Sequence, residues 1–353
     1  MRFIGNKENL VETIYSVISD KKISGDSFFD ACAGTVSVAR YFKNKDYRVV
    51  TSDLLYFSYV LQRAYIVNNS ELSFSKLLNT IESKKQSLFS SPLEMVVNYL
   101  NHIKPIKGFV SVNYTPGGTD HLDIPRMYYS DYNGKKIDAI RIKIEYWKAE
   151  DLINEDEYYV LLACLIETVP FYANITGVYA AFCKKWDPRA LKKIILRPIG
   201  LVLNHRNNES YNQDSASLLE HIDTDILYID PPYNQRQYAP NYHILETIAR
   251  YDQPNIRGVS GMRNYRHQKS RFCNKNTALN ELAYYAKKGN FKTLILSYNS
   301  EGIMPEKDIL SVLSDFGNVE LLEFDYLRYK SNNGKSNRNK KYVKEQLYIL
   351  RKT

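Results

Sequence analysis

The sequence predicts an α/β fold: an open, mostly parallel sheet that ends in an antiparallel hairpin and is interrupted by one inserted domain. Three observations predict it. Four short apolar runs, Ser27–Asp30, Tyr47–Thr51, Ile226–Ile229 and Thr293–Ser297, end at or near polar residues, respectively Asp30, Asp53, Asp230 and Asn299. The helical periodicity of Val36 to Phe42 separates the first two, giving a strand-turn-helix-strand unit of the parallel type. Two late runs, Val319–Tyr326 and Gln346–Leu350, are joined by the polar basic stretch Ser331–Arg338, and a connection without a helix pairs strands antiparallel.

The remaining elements follow in chain order. Leu10, Ile14, Val17 and Ile18 recur at helical spacing, so residues 8–19 form an amphipathic helix entered from a loop over 2–7. The long stretch from Asp53 to Asn204 lacks the strand-helix rhythm and contains the turn-rich Thr115–Asp120, which marks an insert. The expected division is a sheet domain over 1–58 and 205–353 and an insert over 59–204. A chain of 353 residues, 44% hydrophobic, is long enough to bury a large core.

Lys and Arg number 48 against 39 Asp and Glu, a formal charge of +9, and 30 tyrosines accompany them. Cationic charge attracts phosphates and tyrosine rings can stack on bases, so a nucleic-acid partner is favoured; a merely basic protein is the plain alternative. Cys32, Cys164, Cys183 and Cys273 are scattered, without a Cys-x-x-Cys pair or a histidine at zinc spacing, so they read as reduced thiols and no metal is expected. The opening residues lack an apolar signal core and no apolar run approaches the ~18 residues of a membrane span. A cytoplasmic protein without a membrane partner is expected.

The most specific feature is Asp230-Pro231-Pro232-Tyr233 at the end of an apolar strand. Prolines cannot continue a ladder and fix a stiff turn, which can hold two hydrogen-bond acceptors in place. An exocyclic aromatic amine is a poor nucleophile because its lone pair is delocalised. The Asp230 carboxylate and Pro231 carbonyl could orient its N–H bonds and favour a pyramidal nitrogen. Tyr233 would offer a ring for an extruded base, a contact worth roughly 1–3 kcal/mol. The competing view is an ordinary rigid turn.

On these residues the chain resembles the Dam-like, or D12-class, family of adenine-N6 DNA methyltransferases, particularly its restriction-modification members. Asp230-Pro231-Pro232-Tyr233 matches the family's catalytic tetrapeptide. Asp30-Ala31-Cys32-Ala33-Gly34-Thr35 is similar to its first cofactor motif, with Cys32 in place of the usual Phe and Val36 in place of the second Gly. The resemblance implies a Rossmann-like class I methyltransferase sheet and S-adenosylmethionine as methyl donor. It implies catalytic roles for Asp230, Pro231, Pro232 and Tyr233, and cofactor contacts from Phe3, Gly5, Lys7, Asp30, Gly34, Asp53, Asp214 and Asp230. Phe3 would pack on the cofactor, Lys7 would sit near its methionine end, Asp53 would accept from ribose hydroxyls, and Asp214 would accept from the adenine amine. Asp53 as a helix cap is the simpler alternative. Tyr298, in Ser297–Gly302, would line the base pocket or be a buried structural ring.

The insert is the natural place for target recognition in double-stranded DNA. Lys135, Lys136 and Arg141 within 134–143, and the mixed cationic and aromatic 184–189, are candidate phosphate contacts. So are Arg263, Arg266, Lys269 and Arg271, in a glycine-containing cationic stretch expected to order over DNA. Solvated faces are the alternative in each case. His243 is expected to be a packed or capping residue. The implied partners are duplex DNA and a cognate restriction endonuclease, with the protein acting as a monomer. Cytosine-N4 transfer, an RNA adenine acceptor and a catalytically silent DNA-binding protein are the competing functions.

Overall fold

The computed structural model describes residues 5–81, 90–327 and 342–352. Phe3 and the stretch Ser331–Arg338 lie outside the described residues. The chain divides into two compact units, one of Gly5–Gln62, Asn204–Ala239 and Arg266–Thr353, the other chiefly of Arg63–Leu203 and Pro240–Tyr265. The chain therefore enters the second unit twice, where the sequence suggested a single insert. Pro240–Tyr265 carries no compositional mark of leaving the sheet unit.

In the first unit, seven strands among the described residues form one sheet: Ser27–Asp30 (β1), Arg48–Ser52 (β2), Glu209–Tyr211 (β3), Asp223–Ile229 (β4), Asn290–Asn299 (β5), Gly317–Leu327 (β6) and Tyr342–Lys352 (β7). Their order is β3-β2-β1-β4-β5-β7-β6. The first five run parallel, while β7 pairs antiparallel with both β5 and β6, as the sequence predicts. β3 went unpredicted because its three residues are only partly buried and form no apolar run.

The inner strands are apolar because both faces are covered. Phe28 stacks on Phe42 of the helix Ser37–Asn44, with ring centroids 3.8 Å apart. Phe29, on the opposite face, joins Leu227, Leu294, Leu296 and residues of the helices Ala278–Lys288 and Glu306–Ser314 in one core. Each such fully buried side chain contributes about 1.5–3 kcal/mol.

From β1 the chain moves outward to β2 and β3, then returns to place β4 on the other side of β1. At such a reversal open α/β sheets bind ligands beyond the carboxyl ends of their strands, here those of β1 and β4. Register sets Asp30 opposite Tyr228, two residues before Asp230.

The second unit is mainly helical, with Pro92–His102, Asp131–Ala149, Glu155–Thr168 and His243–Arg250 as its longer helices and a short antiparallel ribbon of Ile256–Arg257 and Met262–Arg263. Much of the tyrosine content is structural here. Tyr114, Tyr128, Tyr129 and Tyr179 are buried, and their hydroxyls have partners: Tyr114 donates to the Gly261 carbonyl, Tyr128 to the Tyr179 carbonyl and Tyr129 to the Tyr179 hydroxyl. Buried phenols need such partners. No helix among the described residues is long and apolar enough to cross a membrane.

Candidate active site

The turn after β1 is held by left-handed backbone. Gly34 has φ +49°, and Val36 adopts φ 57°, ψ 19° at the start of the following helix. A β-branched residue there costs on the order of 1–3 kcal/mol, offset in part by complete burial of the Val36 side chain. The turn thus keeps a left-handed backbone without a second glycine at that position.

Asp53, at the end of β2, accepts the Gly34 amide at 2.9 Å on one oxygen and the Leu55 amide at 2.8 Å on the other. It therefore ties the β1 turn to the entry of the helix Tyr56–Gln62. Asp214 follows β3 and caps a short turn, accepting from the Ala216 amide at 3.0 Å. The adjacent Ser215 hydroxyl donates to the Ala31 carbonyl at 2.8 Å and bonds the Tyr285 hydroxyl at 2.6 Å, linking this loop to the β1 turn. Burial pushes the Cys32 thiol well up, and Asp53, Asp30, Asp230 and Asp214 all push it further. Cys32 thus feels the acidic side chains that end or follow four neighbouring strands.

Asp30 is 2% exposed and its Oδ1 has no hydrogen-bond partner among the described residues. Burial, reinforced by repulsion from Asp230 and Asp53 against a backbone hydrogen bond from Cys32, raises its pKa to about 8.

Asp230 ends β4. The Tyr233 hydroxyl donates to its Oδ1 at 2.6 Å, and the Lys7 ammonium lies 3.5 Å from the same oxygen. Burial raises the Asp230 carboxyl to about 6; Lys7 and Tyr233 oppose that rise and Glu345 adds to it. Lys7 is buried, yet its pKa is raised, because attraction to Asp230 and Glu345 outweighs desolvation. It also bonds the Tyr233 hydroxyl and lies 4.8 Å from that ring's centroid.

Tyr298 meets Tyr233 edge-on, centroids 5.3 Å apart. Its hydroxyl accepts from the Met304 amide, and a Cβ on Gly302 would fall 2.2 Å from its ring, so the glycine is what lets the backbone pass. Gly5 has φ +81° and Pro231 is buried. Lys7, Asp30, Gly34, Asp53, Asp214, Asp230 and Tyr233 thus all belong to the loops at one end of the sheet unit. Glu345 was missed from the sequence: one acidic residue at the start of a late strand carries no motif, and only the antiparallel return of β7 brings it to Lys7.

The cationic candidates divide differently. Lys135 is exposed. Lys136 is buried, donating to the Asn101 and Ile103 carbonyls, and desolvation lowers its pKa to about 8. Arg141 is buried too, donating to the Ile248 and Ala249 carbonyls at the end of the helix His243–Arg250. Neither side chain faces solvent as its sequence suggests, and both are buried for one reason. The helix Asp131–Ala149 turns charged residues inward to satisfy backbone ends, so its sequence resembles a solvated basic face.

Arg263 is also mostly buried and pairs with both oxygens of Asp252. Arg266, Lys269 and Arg271 are exposed, with Arg271 3.2 Å from Glu281. The stretch around them is built of the ribbon and two single turns, Arg266–Gln268 and Arg271–Cys273. His243 is packed as expected: its Nε2 lies 2.9 Å from the Tyr179 carbonyl, and burial lowers its pKa to about 4.

Arg141→Met is expected to destabilise the second unit by about 2–4 kcal/mol, since it leaves buried carbonyls without donors. Urea unfolding measures the loss. Unchanged stability together with a shallower salt dependence of DNA binding would return Arg141 to a phosphate-contacting role.

The family model described as D12 class N6 adenine-specific DNA methyltransferase matches residues 3–312 of this chain. The chain is 44% identical over 335 residues to the Type II methyltransferase M.FokI of Planomicrobium okeanokoites, covering 94% of this chain and 50% of that protein. It is 40% identical over 357 residues to the modification methylase StsI of Streptococcus sanguinis, covering 100% and 52%. To the Type II methyltransferase M.NlaIII of Neisseria lactamica it is 37% identical over 359 residues, covering 100% of both chains. The chain thus spans about half the length of the first two relatives and the whole of the third.

Proposed function

We propose that this chain, which belongs to the D12 class N6 adenine-specific DNA methyltransferases, transfers a methyl group from S-adenosylmethionine to the N6 amine of adenine in double-stranded DNA. The names of its relatives, Type II methyltransferases and a modification methylase, support a modification role, and a cognate restriction endonuclease acting on the same site would be its counterpart. The observation that carries the reading is Asp230, held at Oδ1 by Tyr233 and Lys7 where β4 ends beside β1.

The residues suit a cationic methyl donor. Asp30 offers a buried oxygen without a partner among the described residues, and the acidic groups that act on Cys32 favour a cationic ligand at the same strand ends. Asp30 and the Gly34 turn would hold the methionine end with Lys7, Asp53 the ribose, and Asp214 the adenine of the cofactor. When bound, S-adenosylmethionine supplies an electrophilic methyl group whose leaving group is a neutral thioether.

The protein's own part is orientation. Tyr233 and Lys7 both address Oδ1 of Asp230, which favours approach of the base amine to Oδ2. The carboxylate and the Pro231 carbonyl accept its two N–H bonds and turn the nitrogen lone pair toward the methyl group. Tyr233 stacks on the extruded base with Tyr298 bracing its edge, and the amine loses its extra proton to solvent after transfer. Pro232 stiffens the turn. Exposed Lys135, Arg266, Lys269 and Arg271 would contact phosphates, and the protein would act as a monomer.

The test is incubation with methyl-labelled S-adenosylmethionine and mixed-sequence duplex DNA, followed by digestion to nucleosides. N6-methyladenine is the expected product. N4-methylcytosine would overturn the base assignment, and transfer to structured RNA alone would overturn the acceptor.

A further inference from the structure

Lys7 is shared between two carboxylates of unequal claim. Its Nζ lies 3.0 Å from Glu345 Oε2 and 3.5 Å from Asp230 Oδ1. The side chains of Lys7 and Glu345 are 4% and 7% exposed, so water screens this competition weakly. Glu345 is anchored twice: its backbone is in register with Asn299 at the end of β5, and the Asn299 amide donates to its Oε1 at 3.4 Å. Lys7 extends from the loop before the first helix, where its carbonyl accepts from the Leu10 amide. Asp230 must accept from the substrate amine, and an ammonium seated directly on it would compete for the same lone pairs.

We propose that Glu345 is a positioning residue that holds the Lys7 ammonium away from full contact with Asp230, keeping that carboxylate available to the adenine amine. The proposal rests on the reading of Asp230 as the acceptor. Glu345 acts in two ways. It fixes where the ammonium sits, and its charge balances the attraction that Lys7 exerts on Asp230. Without it, Asp230 is the carboxylate left to Lys7 among the described residues, and the pair closes.

Among the described residues, the groups that act electrostatically with Asp230 include Lys7 from the N-terminal loop, Tyr233 from its own turn, Tyr228 from its own strand, Asp30 and Cys32 from the β1 end, and Glu345 from β7. Glu345→Gln removes a negative charge from this set and lets Lys7 approach. The acid limb of kcat, where Asp230 protonates, then moves to lower pH by about one unit. The rate on the plateau falls roughly 10- to 100-fold while KM for DNA stays within about twofold, because a charged hydrogen bond has moved onto the acceptor.

The experiment compares wild type, Glu345→Gln, Glu345→Asp, Lys7→Met and the Lys7→Met/Glu345→Gln double variant in full pH profiles of methyl transfer. The expected result is a shifted limb in Glu345→Gln, a limb near wild type in Glu345→Asp, and no added loss from Glu345→Gln once Lys7 is gone. An unmoved limb with kcat within about twofold of wild type overturns the proposal. So does an equal loss with and without Lys7, which marks a structural role. If Glu345→Gln does not fold, Glu345→Ala with and without Lys7→Met makes the same comparison and decides by the same outcomes. Wild type that makes no N6-methyladenine defeats the reading of the reaction, whereas wild-type transfer with an unmoved variant limb defeats this role of Glu345 alone.

Discussion

Asp230→Asn lowers kcat for methyl transfer to duplex DNA by on the order of 10²–10³, the cost of removing one preorganised polar group from a reacting centre. The substitution is nearly isosteric, so the loss is chemical. The Tyr233 hydroxyl donates to Oδ1, and the Lys7 ammonium lies 3.5 Å from the same oxygen. An asparagine there turns its amide oxygen to those two donors and presents its NH2 to the base. Donor then faces donor, and the N6 amine loses the acceptor that orients it. Wild type shows the same dependence through pH: with the Asp230 pKa at about 6, its rate falls as pH drops through that value. Labelled methyl incorporation measured from pH 5 to 8 checks both statements. A variant within about tenfold of wild type on the plateau would remove Asp230 from the chemistry.

Binding of S-adenosylmethionine is expected to tighten with rising pH across the neutral range, by up to about tenfold per unit below the Asp30 pKa. Asp30 is buried with an oxygen unpartnered among the described residues and a pKa of about 8, so at pH 7 the ligand-free protein holds it mostly protonated. A ligand carrying a sulfonium and an ammonium stabilises the ionised carboxylate, so binding releases a proton. Calorimetry in buffers of different ionisation enthalpy counts that proton. Asp30→Asn should bind weakly and flatten the dependence, and a wild type that releases no proton at pH 7 would refute the linkage.

The same group has a stability consequence. Its folded pKa is raised from the usual 3.8, so its contribution to stability is present in full below pH ~4 and declines as pH rises toward ~8. Asp30→Asn should therefore gain stability relative to wild type at pH 8, the pattern expected when a strained polar group serves binding.

How much of this was legible in the sequence depended on how locally each feature is encoded. β1, β2 and β4 announce themselves through apolar runs ending in Asp30, Asp53 and Asp230, because strands buried on both faces must be continuously apolar. β3 could not be read, being a three-residue strand recruited by pairing with β2. Lys136 and Arg141 were read as a basic surface because a helix sequence records charge and not which way it faces; the carbonyls they satisfy, at Asn101, Ile103, Ile248 and Ala249, lie far away in the chain. The tyrosines misled similarly, since a ring suited to a base is equally suited to a core once its hydroxyl has a partner.

By itself, the sequence determined the parallel sheet with its antiparallel end and the stiff Asp-Pro-Pro-Tyr turn. Periodicity, proline and strand-end polarity act over a few residues, and their physics is local. Only the tertiary structure decided the electrostatics of the site. It brought Lys7, Asp230 and Glu345 from three distant parts of the chain into one largely buried cluster, and it left Asp30 with an oxygen that no neighbour among the described residues satisfies. Burial and charge neighbours set a carboxylate's proton affinity, and both are properties of packing that no stretch of sequence contains.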